Sequence, residues 1–217
     1  DLSDDHPISF LYDSSLAATQ RQLLDPSALP TALRLDDERR LQCITCHDPH
    51  EDKFGKFLTM TNAESAVCRA CHLMNGWSTS AHATSSASLG GATGDKWDNI
   101  TAGSVRQASC EACHRPHNAG GRERLLRREA EEDNCLSCHD GSVARGNIAS
   151  ELTKISRHSV RSTTGVHSPA ERPPNMTKHV ECTDCHDAHR ATAGTAVAPH
   201  IRPSTRGATG ITGANTT

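Results

Sequence analysis

Cys43-Ile44-Thr45-Cys46-His47-Asp48-Pro49-His50 is the stretch on which the reading of this chain turns. Two thiols stand three residues apart, an imidazole follows the second directly, and another imidazole comes three residues later. Working outward, the same core recurs at Cys68-Arg69-Ala70-Cys71-His72, Cys110-Glu111-Ala112-Cys113-His114, Cys135-Leu136-Ser137-Cys138-His139 and Cys182-Thr183-Asp184-Cys185-His186. These five motifs absorb all 10 cysteines of the 217-residue chain.

Paired thiols at this spacing have several uses. They hold structural zinc, close disulfides, or cycle as thioredoxin-like redox pairs. None of these requires a histidine directly after every second cysteine. Attachment of haem c does: two thiols add to the two vinyl groups of the porphyrin, and the adjacent imidazole reaches the iron. The sequence therefore predicts five haem c groups. Cys43, Cys46, Cys68, Cys71, Cys110, Cys113, Cys135, Cys138, Cys182 and Cys185 are the attachment points, and His47, His72, His114, His139 and His186 the proximal ligands.

Composition points the same way. With 35% hydrophobic and 3% aromatic residues, side chains alone offer little large apolar surface to offset the entropy of ordering the backbone. Porphyrins would supply it. The predicted fold class is mostly irregular coil with short α-helices and little β structure, the haems forming the core. A net charge of −3, from 23 basic and 26 acidic residues, provides no basic field for nucleic acid. No apolar run is long enough to span a membrane. The opening Asp1-Leu2-Ser3-Asp4-Asp5 lacks the basic and apolar regions of an export signal, and the expectation is that such a signal has been removed. Haem c is attached outside the cytoplasm, so the expected location is extracellular or at the cell surface, with the periplasm as the alternative.

The chain also repeats itself. Cys43 to Cys68 spans 25 residues and so does Cys110 to Cys135. In each case the first motif carries a further histidine three places on, His50 or His117, and the fifth motif does the same at His189. Such periodicity marks repeated structural units. Residues 1–80 read as a first haem doublet, 81–150 as a second, 151–190 as a single-haem half-repeat, and 191–217 as an Ala/Gly/Thr-rich tail suited to a subunit contact. On these motifs, and on the upstream Asp5-His6-Pro7-Ile8-Ser9-Phe10, residues 1–190 resemble the doubled C-x-x-C-H multihaem cytochromes of metal-reducing and related bacteria. The resemblance implies low-potential electron transfer, often at or beyond the cell surface, and some members form filaments.

Distal ligands follow from supply. Nine histidines lie outside the motifs, whereas the three methionines (Met60, Met74, Met176) hold no repeated position. His/Met ligation raises the potential, so bis-histidine ligation at all five irons predicts low potentials. His50 and His117 are too close to their own proximal histidine to share its iron, and the expectation is that each serves the next haem, on Cys68/Cys71 and Cys135/Cys138. His6 and His82 then go to the Cys43/Cys46 and Cys110/Cys113 haems, and His158 to the Cys182/Cys185 haem, with His167 and His179 as alternatives and His200 unused. By the same forward rule His189 has no haem left in its own chain. It is either idle or donated to a neighbouring subunit, and His6 could be the donated residue instead. A heterologous contact of that kind that does not close gives a filament.

The functional expectation is an electron carrier, not an enzyme: a subunit of an extracellular cytochrome filament that exchanges electrons with other redox proteins or extracellular acceptors. A discrete periplasmic shuttle is the alternative, and a multihaem reductase the lesser one. Between the motifs, helices are predicted over 14–24, 31–41 and most clearly 122–133, where Arg/Glu spacing permits side-chain pairs. Residues 78–104 and 169–174 read as loops.

Overall fold

A computed structural model describes residues 2–90, 100, 102–160 and 181–190. Short helices and coil dominate, as the composition requires. The chain divides into two compact units, Asp1–Asn75 and Gly76–Thr217.

In the first unit β1 (Phe10–Leu11) pairs antiparallel with β2 (Arg40–Leu41), Phe10 opposite Leu41. Between them lies α1 (Ser14–Gln20), capped by Asp13, whose carboxylate accepts from Leu16 N at 2.8 Å. It ends at Arg21 in the left-handed conformation, shorter than the 14–24 predicted. The helix predicted over 31–41 does not form. The Asp36 side chain instead accepts from the backbone of Glu38 and Arg40 and from the Gln42 amide, closing a turn that sets up β2. Asp residues compete for backbone donors in this way and favour turns over helix interiors. The first two motifs ride on single helical turns, α2 (Cys43–Cys46) and α3 (Ala66–Arg69). The buried apolar residues are few: Tyr12, Ala17, Leu33 and Leu41.

The second unit contains α4 (Ala81–Thr84), α5 (Val105–Ala108), α6 (Glu131–Leu136), α7 (Ile148–Glu151) and α8 (Cys182–Cys185). Its apolar cluster is Leu89, Val105 and Ala108, with Ala87, Ile100, Ala102, Ala112 and Val143 against it. Helix α4 falls inside the predicted loop 78–104, where Ser80 supplies the cap that nucleates it. The helix predicted over 122–133 is displaced to Glu131–Leu136 and carries Cys135. Arg124 and Leu125 adopt positive φ (54° and 55°), which ends any helix there. The backbone of this stretch is used otherwise: Arg115 N donates to Leu125 O and Arg127 N to Cys113 O. Tertiary hydrogen bonds around the third motif override local helix preference. No helix of the described residues is long and apolar enough to cross a membrane.

Candidate metal centres

In each motif a helical turn presents its two cysteines and the following histidine. His47, His72, His114, His139 and His186 all donate their backbone N–H to the carbonyl of the first cysteine of their motif, at 2.9 to 3.0 Å. That single bond fixes where the imidazole leaves the turn. None of the nine described cysteines is joined in a disulfide. Among the described residues, the one set of three or more potential metal ligands that converges is acidic, Glu131, Glu132 and Glu181, so the cysteines and histidines do not form zinc-like sets.

Histidines from distant parts of the sequence come together in pairs. His6 faces His72 with ring centres 6.2 Å apart and planes at 74°; His82 faces His139 at 6.2 Å and 78°; His114 lies parallel to His189 at 6.3 Å and 10°. An imidazole nitrogen bonds a first-row metal at about 2 Å and sits about 1.1 Å from its ring centre, so two imidazoles on opposite faces of one metal stand about 6.2 Å apart. Rings in direct van der Waals stacking would be much closer. All three pairs therefore keep the separation that an iron between them demands.

Ring orientation is controlled from behind. His6 Nδ1 bonds Pro7 O at 2.9 Å, His47 Nδ1 bonds Lys56 O at 2.9 Å, His82 Nδ1 bonds Ala188 O at 2.8 Å and His114 Nδ1 bonds Arg124 O at 2.9 Å. A carbonyl only accepts, so Nδ1 carries the proton and Nε2 keeps its lone pair for a metal. Lys56 and Arg124 both have left-handed backbones, at φ 54°, a conformation that costs on the order of 1 kcal/mol. The same strain recurs at equivalent places in two separate units, each time aiming a carbonyl at a proximal imidazole. Burial also holds the His114 and His139 imidazoles below their usual pKa, in the neutral form that can ligate.

The thiols of consecutive motifs are neighbours within each unit. Cys46 acts electrostatically on Cys71, whose thiol is pushed up to about 11 mainly by burial. Cys71 is also hydrogen-bonded by Tyr12, itself raised to about 12 chiefly by burial. In the second unit Cys113 acts on Cys135, and Cys135 hydrogen-bonds Cys182. Attachment points three, four and five thus follow one another in space.

The pairings differ from those expected from spacing. His6 meets the imidazole of the second motif, not the first, because residues 22–24 run alongside that motif: Leu24 N donates to Cys71 O and Leu73 N to Gln22 O. His82 meets the fourth motif, not the third. His189 lies against His114, with Trp77 edge-on at 6.2 Å. Neither His50 nor His117 belongs to one of these three ring pairs. Both are exposed, as is His158. His167, His179 and His200 lie outside the described residues, as does the predicted loop 169–174. Sequence reasoning missed the carbonyls of Lys56 and Arg124, for which the recurring Lys56-Phe57-Leu58 and Arg124-Leu125-Leu126 was the available clue. It also missed the carbonyl of Ala188, and Tyr12 and Trp77, whose scarcity in so aromatic-poor a chain was the signal.

A family model described as the doubled CXXCH motif matches the chain twice, over residues 38–75 and 103–144. No curated protein and no solved structure matches.

Proposed function

We propose that this chain is a multihaem c-type cytochrome that binds five haem c groups and carries electrons along them, with each iron between two imidazoles; the two matches to the doubled CXXCH motif support this. The observation that carries this reading is the trio of histidine pairs at 6.2 to 6.3 Å. Haem c supplies a one-electron iron couple when bound, and two imidazole ligands keep its potential low.

The residues of the chain do the rest. Cysteines fix each porphyrin at two points, and the Nδ1–H bonds hold the proximal and distal rings in register. His6/His72, His82/His139 and His114/His189 are the ligand pairs for the second, fourth and third haems. The fifth iron, at His186, takes its distal ligand from His158, His167 or His179, and the first, at His47, from a histidine outside these pairs other than His50, which stands too close to His47 to share its iron. Close succession of the thiols within each unit sets consecutive haems side by side, the arrangement that electron hopping needs. A reductase would need an iron with a replaceable ligand, and the paired rings speak against that at three sites.

Outside the chain, the proposed setting is extracellular or at the cell surface, in exchange with other redox proteins or extracellular acceptors. Self-association into a filament is the proposed assembly. His189 and His6 have partners within the chain, so a head-to-tail contact would use the exposed His50 in their place. That same internal use of both rings favours the second reading, a discrete periplasmic shuttle.

Intact mass of the coloured protein tests the count: the expected value exceeds the polypeptide by five haem groups. The reduced protein should show almost no spectral change with carbon monoxide. Carbon monoxide binding at a large share of the haem would sink the bis-histidine reading.

A further inference from the structure

We infer that Glu131, Glu132 and Glu181 hold one hard divalent cation, of the calcium type, at the junction of the fourth and fifth cysteine motifs. Each offers a carboxylate oxygen within 4.8 Å of the others, and the three residues are only 5%, 2% and 4% exposed. Buried carboxylates must be paired, protonated or bound to metal, because desolvating an isolated charge costs far more than a fold can spare. Thr183 N donates to Glu131 Oε1 at 3.2 Å. Glu132 Oε1, by contrast, is buried and has no hydrogen-bond partner. A lone pair in that position, beside two further carboxylates, wants a cation or a proton.

The surroundings favour the cation. One divalent ion would answer most of the charge of the three carboxylates at once. The donors are all carboxylate oxygens, with no thiol or imidazole among them, which suits calcium or magnesium over zinc or copper. Calcium is the better fit: it accepts bidentate carboxylates in irregular geometry, while magnesium prefers to keep several waters that a buried site has little room for.

The position gives the ion a task. Glu131 and Glu132 open helix α6, which carries Cys135, and Glu181 directly precedes Cys182 at the start of α8. The thiols of Cys135 and Cys182 are hydrogen-bonded to each other. A cation here would clamp the two attachment turns together, independently of any iron.

The test uses the haem-loaded full chain. After equilibration with calcium and removal of the excess, elemental analysis should find about one calcium per chain. Glu132→Gln should lower that at least tenfold with the haem absorbance unchanged. Stripping with a chelator should lower the melting temperature of the unaltered protein, and calcium should restore it; in Glu132→Gln neither step should have an effect. Should Glu132→Gln fail to assemble, Glu181→Gln and the chelator titration of the unaltered protein decide the matter. Absence of stoichiometric calcium at millimolar free ion, with an infrared carbonyl band of a protonated carboxyl, would overturn the proposal in favour of protons. Calcium content and haem content are read separately, so either assignment can fail without the other.

Discussion

In the first unit His47 gives its Nδ1 proton to Lys56 O at 2.9 Å, Asp48 N bonds Phe57 O at 2.7 Å, and Thr59 N bonds Cys46 O at 3.0 Å. In the second, His114 gives its proton to Arg124 O at 2.9 Å, Arg115 N bonds Leu125 O at 2.7 Å, and Arg127 N bonds Cys113 O at 2.9 Å. Asp48 and Arg115 are unlike, but the carbonyls come from Lys56-Phe57 and Arg124-Leu125, a basic residue followed by a large apolar one in both units, so the repeat is one of backbone with a similar pair of side chains. The distal side is different. His6 lies on a stretch just ahead of β1 and bonds its own neighbour, Pro7 O. His82 sits on a capped helical turn and bonds Ala188 O, more than a hundred residues away. The setting of the motif histidine is thus reproduced locally in each doublet, while His82, which lies against His139 in the second, is held by a long-range contact.

The largest effects should come from removing the distal rings themselves. His6→Ala and His82→Ala should each leave one iron five-coordinate, raising the share of haem that binds carbon monoxide from near zero to about one-fifth. The partner can be identified by combination. If His6 serves the haem on Cys68/Cys71, then His6→Ala made together with Cys68→Ala and Cys71→Ala should no longer bind carbon monoxide. Persistence of the signal in that combined variant would return His6 to the first haem and break the parallel between the two doublets.

His189 tests the asymmetry between the units. His189→Ala should open the iron on Cys110/Cys113 to carbon monoxide by the same one-fifth, and should do so in dilute protein as fully as in concentrated protein. His50→Ala should leave the spectrum of a discrete chain unchanged. An opening in His189→Ala that depends on protein concentration would show the ring being donated between chains, contrary to its position against His114.

These comparisons also show what the sequence could reveal. The doubled C-x-x-C-H motifs are legible because the residues themselves carry the spacing, as the family match over 38–75 and 103–144 bears out, and the paucity of helix and sheet follows from a composition poor in large apolar side chains. Which histidine rings come to lie together was not legible. A histidine three residues after a motif can be assigned forward by spacing alone, but the partner is decided by which segments lie alongside each other, as residues 22–24 do beside Cys71. Such contacts are made by backbone groups, which carry no residue code. The helix predicted over 122–133 failed for the same reason: Arg124 and Leu125 are good helix formers recruited to present carbonyls instead.

The smallest effect separates support of a ligand from support of the fold. Ser80 is fully buried, and its Oγ accepts from Ala83 N at 3.1 Å to cap the turn that carries His82. Asp13 caps α1 in the first unit in the same manner, yet α1 carries no ligand. Loss of either cap should cost about 1 kcal/mol, a fall of roughly 2–4 °C in melting temperature for a chain of this size. Ser80→Ala and Asp13→Ala should therefore be alike in stability. They should part company at the iron: a looser α4 lets the His82 ring tilt against Ala188 O, so Ser80→Ala should admit a small fraction of carbon monoxide at the fourth haem, while Asp13→Ala admits none. Equal spectra in the two variants would mean that Ala188 O alone orients His82, and that the helical turn beneath it only completes the chain.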